Sequence, residues 1–127
     1  MDATFSKSER LCKKSEFDLL FNNGKYVINN NIKAQYIFKP SSLPEIKVAF
    51  AIPTKRIKTA VNRNYLKRIM REIYRKNKYI LHNHLNTHSV YITFIFLTKE
   101  VIDYKEMETN LLLLLHQILE KYQLQKR

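Results

Sequence analysis

The chain has 127 residues, with 23 Lys plus Arg against 11 Asp plus Glu, one Gly and one Cys, and a formal net charge of +12. That length suits a single domain, residues 1–127, that buries a core without staples; the lone Cys12 excludes an internal disulfide, which fits a reducing cytoplasm. No apolar run approaches the ~18 residues that span a bilayer, the opening residues lack a signal peptide's apolar segment, and so much positive charge points to a polyanion such as RNA or DNA, or an anionic surface.

Residues 1–14 carry Lys7, Arg10, Lys13 and Lys14 and are expected to form a loose basic arm. Ser15 precedes Glu16-Phe17-Asp18-Leu19-Leu20-Phe21 and is expected to cap a short helix whose first turn holds acids. Gly24 is expected to end it as a left-handed C-cap. Phe17 and Phe21 stand four apart and share a face. They read either as core or as an edge on which bases stack.

Tyr26 and Ile28 suggest a short strand, and Asn29-Asn30-Asn31 a turn or bulge. Ile32, Ala34, Tyr36 and Phe38 then alternate with Lys33, Gln35, Ile37 and Lys39, the period of a half-buried strand. Ile37 breaks the polar set, so either set could face inward. Residues 40–44 form a loop, and 46–52 an apolar strand stopped by Pro53.

The basic stretch 55–78 contains one acid, Glu72. Between 60 and 74 it has no Gly or Pro, and its Leu, Lys, Arg, Met and Glu favour a helix, with Thr59 as N-cap. At helical spacing Tyr65, Leu66, Ile69, Met70, Ile73 and Tyr74 make one side. Lys67, Arg68, Arg71 and Arg75 point the other way, with Arg63 at the border. Like charges three and four apart repel by a few tenths of a kcal/mol per pair. A face needed only for solubility mixes in acids; this one is read as a nucleic-acid surface. Asn64, inside the row, offers a neutral amide to a base edge or a 2′-hydroxyl.

Residues 77–88 are a polar connector with His82, His84 and His88. They lack an evident fourth ligand, so zinc is disfavoured. Residues 89–98 are β-prone and apolar at nearly every position, as in a central strand covered on both faces. Residues 104–122 form a last helix with Met107, Leu111, Leu114, Leu115, Ile118, Leu119 and Tyr122 as its stripe. Leu112 and Leu113 fall off it. The order is α-β-β-β-α-β-α, an α+β fold of one small sheet with helices against it. A long helix between two strands makes those strands parallel neighbours.

No catalytic set is evident. One glycine cannot build a phosphate loop, no nucleophile elbow is present, and no acids are placed for general acid–base or two-metal work. The chain reads as a binder; a structural RNA-binding protein of ribosomal type and a DNA-binding regulator are among the classes this leaves open. Phosphate-seeking cations with a lone Asn64 offer little base readout, which counts against the last.

The stretch from Val48 to Arg71, with Lys55-Arg56, Ala60-Val61, Arg63-Asn64, Lys67-Arg68 and Arg71-Glu72 in register, resembles the protein component of bacterial ribonuclease P. Arg10-Leu11, Phe17-x-x-x-Phe21 and Gly24 match the family's opening, and the order of elements agrees over nearly the whole chain. Tyr65 departs from the pattern, which has an arginine there. The resemblance implies a protein that binds a large catalytic RNA, in a holoenzyme that removes the 5′ leader of precursor tRNA. The RNA performs the hydrolysis, with Mg2+ bound mainly by the RNA, and the protein, a monomer in a 1:1 particle, has no catalytic or metal-binding residue of its own. By position, Lys55, Arg56, Arg63, Asn64, Lys67, Arg68, Arg71 and Arg75 meet the RNA subunit. Phe17, Phe21 and Tyr36 hold the leader. The family fold is an α/β sandwich with a four-stranded sheet, three helices and a left-handed crossover through the basic helix, against the usual right-handed rule.

Overall fold

The computed structural model describes Phe5 and residues 7–125. Four strands, β1 (Lys25–Asn29), β2 (Ile32–Pro40), β3 (Ile46–Ala51) and β4 (His88–Phe96), form one mixed sheet in the order β1-β2-β4-β3. The helices are α1 (Lys14–Asn23), α2 (Ala60–Asn77), a single turn α3 (Tyr79–His82) and α4 (Tyr104–Gln125). The fold is the α+β arrangement expected, with α3 as a short addition in the connector. Among the described residues, no helix is long and apolar enough to cross a membrane.

β1 and β2 are antiparallel and meet at Asn30, whose φ of 53° is left-handed. Asn tolerates that region better than most residues. The turn is clamped from above: Asn30 donates to Asn110 Oδ1 at 3.1 Å, and Asn110 donates to Asn31 Oδ1 at 3.0 Å. Asn110 is buried on α4, so its amide needs these partners. β2 and β4 are antiparallel, while β3 and β4 are parallel, as the long intervening helix requires.

The register sorts the side chains. Ile32, Ala34, Tyr36, Val48, Ile92, Phe94 and Phe96 lie on one face, under α2 and α4, and make the main core with Leu66, Met70, Ile73, Met107, Leu111 and Leu115. Lys33, Gln35, Ile37, Lys39, Lys47, Ala49, Tyr91 and Thr93 lie on the other, where α1 packs. Two-sided cover explains why β4 is apolar almost throughout. On α4, Leu112 is half-buried and Leu113 exposed.

Three local expectations need correction. The α1 N-cap is Lys13, not Ser15, and Glu16 reaches back to accept from the Lys13 amide at 3.2 Å. Gly24 is extended, with φ −76° and ψ 160°, rather than left-handed. Space is what requires it, because a Cβ there would run into the Leu20 carbonyl oxygen and lie 3.0 Å from that of Tyr36. The stretch before α1 is not loose from Lys7 onward; residues 1–4 and 6 lie outside the described residues. Lys7–Glu9 form a 3-10 turn, Arg10 bridges to Val48 beside β3, and Leu11 is buried. Phe5 packs edge-on against Phe50 and Tyr74. Lys78, 3 % exposed, donates to both Glu9 carboxylate oxygens at 2.9 and 3.0 Å and pins this segment to the end of α2.

Candidate nucleic-acid interface

The basic surface follows from how α2 starts and which side it buries. Thr59 accepts from the Asn62 amide at 3.4 Å and fixes the start. Leu66, Ile69, Met70, Ile73 and Tyr74 are buried, with Tyr65 half-buried at their edge, so the basic residues lie on the other side. Lys55 and Arg56 lie in the turn that enters the helix, held by Arg56 N–H donating to the Pro53 carbonyl at 3.0 Å.

The expected cations fall into two groups. Among the described residues, Lys55, Arg56, Lys67, Arg68 and Arg71 have no carboxylate partner. Arg68, Arg71 and Lys55 are exposed, and Arg56 and Lys67 half-buried. Arg63 and Arg75 differ. Arg63 donates to the carbonyls of Ile57 and Lys58, both at 2.9 Å, and ties the entry turn to the helix. Arg75 binds Glu72, with Nε at 3.2 Å from Oε2, and Lys76 lies 3.6 Å from the same carboxylate. The Arg75 guanidinium, the Glu72 burial cost and then the two neighbouring cations act on that acid in turn; the net effect holds it below its ordinary value. Asn64 is exposed beside Arg68.

The second surface is the sheet face under α1. Phe17 and Phe21 stack at 5.9 Å between centroids, with 27° between planes. Phe17 rests on the small cluster of Leu11, Leu20 and Tyr91, whereas Phe21 is 53 % exposed. The two rings therefore differ, Phe17 half-buried against that cluster and Phe21 open to solvent. Lys39 lies 5.2 Å from the Tyr91 ring centroid, within cation–π range. Lys33 lies 4.6 Å from the ring of Tyr26, which is 60 % exposed. These basic and aromatic side chains share the α1 side of the sheet with Phe17 and Phe21. The alternation in β2 signalled Lys33 and Lys39, but only the pairing register shows that this set faces away from the core.

Tyr36 is not among them. The register turns it to the main core, 4 % exposed, against Phe38. Burial raises its hydroxyl pKa. It borders instead a concavity of about 540 Å³ beside Lys25, Phe38 and Lys121.

α1 is fixed over the sheet by an ion pair. Lys47 Nζ lies 2.6 Å from Glu16 Oε2, and both side chains are largely buried. Burial works against the Glu16 charge, but Lys47 and the amides of Lys13 and Cys12 outweigh it and hold the carboxyl below its ordinary value. The three histidines of the connector go separate ways. His84 Nδ1 meets the Ile80 carbonyl at 3.1 Å, His88 Nδ1 meets Thr87 Oγ1 at 2.8 Å, and His82 Nε2 is buried without a partner. Among the described residues, no three His, Cys, Asp or Glu side chains converge as metal ligands.

The sequence and the fold both match a known family. The family model described as Ribonuclease P matches residues 5–119. The chain belongs to the ribonuclease P protein family. It is 34% identical over 117 residues to the ribonuclease P protein component of Petrotoga mobilis, covering 91% of this chain and 95% of that one. Against that of Porphyromonas gingivalis it is 32% identical over 111 residues, covering 84% and 81%. The solved ribonuclease P protein of Thermotoga maritima superposes with a TM-score of 0.68 at 27% identity, over 86% of this chain and 96% of that one. As a ribonuclease P protein component, the chain is an accessory subunit of an endoribonuclease that processes tRNA.

Proposed function

We propose that the outer face of α2 binds the catalytic RNA subunit of ribonuclease P, and that the cleft under α1 holds the single-stranded 5′ leader of precursor tRNA. The observation that carries this reading is a set of cations, Lys55 and Arg56 in the entry turn and Lys67, Arg68 and Arg71 on a helix whose other side is core, left without acidic partners among the described residues. Arg grips phosphate oxygens with paired hydrogen bonds and Lys acts as a point charge. Each phosphate neutralised releases counterions, so binding weakens with salt. Arg63 and Arg75 shape this face through bonds within the chain. The cleft supports the leader assignment because Phe21 is exposed on the side of the sheet that also carries Lys33 and Lys39, and rings and cations together suit unpaired nucleotides. Tyr36 is left out of it.

The hydrolysis needs Mg2+, held mainly by the RNA. This chain supplies no converging donor set among its described residues, and its part is to grip and orient the substrate. The particle is 1:1 and cytoplasmic. The test mixes the purified protein with its RNA subunit and precursor tRNA at low Mg2+. Stimulated 5′ cleavage is expected, and no stimulation would overturn the proposal.

A further inference from the structure

The residue that breaks the family's basic pattern lies in a concavity of its own. Tyr65 is half-buried at the edge of the apolar side of α2, with part of its ring against the core. The Arg68 guanidinium lies 5.6 Å from the Tyr65 ring centroid. With Val61, Asn62, Asn64 and Val101 the two line an open hollow of about 800 Å³. Val61 is 78 % exposed and Val101 44 % exposed, so the hollow has apolar as well as polar walls. No lining residue is acidic, and Lys67 and Arg71 stand on the same helix three positions after Asn64 and Arg68.

We propose that this hollow takes one unpaired base of the RNA subunit, stacked on the Tyr65–Arg68 pair. The inference rests on α2 being the face that meets the RNA. An arginine at 65 would add one more positive charge to a row that already repels itself. A tyrosine offers a flat ring, and aromatic rings and guanidinium planes are the two protein surfaces on which splayed bases stack. The exposed valines give the base edge an apolar wall. Asn64 carries both a donor and an acceptor and is exposed at the rim, where it can read a base edge. The surrounding cations draw in the strand that carries the base. A protein partner would need a larger apolar patch or acids facing these cations.

Stacking and phosphate neutralisation differ in their response to salt, and this separates the proposal from its rivals. The RNA subunit is titrated with the full-length protein and with Tyr65→Phe, Tyr65→Leu and Tyr65→Arg across a range of salt. Tyr65→Phe should bind as the parent does. Tyr65→Leu, which keeps the contact with the core, should lose about tenfold in affinity with an unchanged log-salt slope, because no counterion is involved. Tyr65→Arg should steepen the slope by about 1. Thermal melting of each free protein checks the fold, and Asn64→Ala, at an exposed site, provides a second loss of several-fold that no packing defect explains. Parent-like affinity of Tyr65→Leu while the parent binds tightly would overturn this inference alone. Failure of the parent to bind the RNA would overturn the assignment of α2 beneath it.

Discussion

Phe21 gives the sharpest test of the cleft, because its two roles separate in magnitude. Full burial of a Phe side chain stabilises a fold by ~1.5–3 kcal/mol. Phe21 is 53 % exposed, so removing it forfeits about half, roughly 1 kcal/mol. Its stack on Phe17 adds a fraction of the ~0.5–1.5 kcal/mol of an aromatic pair. Phe21→Ala should therefore cost about 1–2 kcal/mol of folding stability and leave the protein folded. If the ring stacks on a leader base, binding of leader-bearing tRNA by the reconstituted holoenzyme should weaken by a further ~1–3 kcal/mol. Binding of mature tRNA, which has no leader, should not change. Phe21→Leu restores the contact with Phe17 without the flat face, so it should recover stability and not leader affinity. Equal losses for the two tRNAs, or none, would refute a leader contact at Phe21.

The two classes of cation on α2 should respond differently. Arg71→Ala should leave stability within about 0.5 kcal/mol and lower the log-salt slope of RNA binding by about 1, whereas Arg63→Ala should cost about 1–3 kcal/mol in urea unfolding, since two carbonyls lose a charged donor. Glu16→Gln should cost about 1–3 kcal/mol near neutral pH. The Glu16 carboxyl is lowered from 4.5, so its contribution is present above that pH and is lost as pH falls through the lower folded value. Lys47 is raised from 10.5, chiefly by its bond to Glu16, so the pair persists to that pH and fails as pH rises through the raised value. Glu16→Gln should flatten both limbs of stability against pH, and unflattened limbs would show that the pair does not set them. Gly24→Ala should destabilise by about 1–3 kcal/mol, the cost of overpacking against backbone; because φ is −76°, a D-alanine at 24 should give no rescue.

The elements that follow from repeating local patterns were readable in the sequence. α2 declares itself through its apolar stripe, its Thr59 cap and the absence of Gly and Pro. β4 declares itself through β-branched and aromatic residues with cover on both sides. What escaped depends on partners distant along the chain. Ile37 and Phe38 are both apolar, so the inward face of β2 is fixed only by its pairing with β4, and with it the fate of Tyr36. Arg75 shares a side of the helical wheel with Arg68 and Arg71, and Arg63 stands at its border, so the wheel alone assigns none of them a partner within the chain. Arg63 and Arg75 differ because the entry turn brings two carbonyls to one and Glu72 lies within reach of the other. The opening segment looked loose because its anchor, Lys78, is 69 positions from Glu9. Gly24 was read through dihedral freedom, when the close approach of Leu20 and Tyr36 is what excludes a side chain.

The place of β4 between β2 and β3 bears on how the molecule is made. Both its neighbours leave the ribosome first, and residues 88–96 emerge only after the whole of α2. Until then the borders of β2 and β3 lack the strand that they share in the finished sheet. Unsatisfied borders of this kind attract any extended peptide. Pairing of residues 88–96 with both β2 and β3 is what completes the sheet on which α2 and α4 pack.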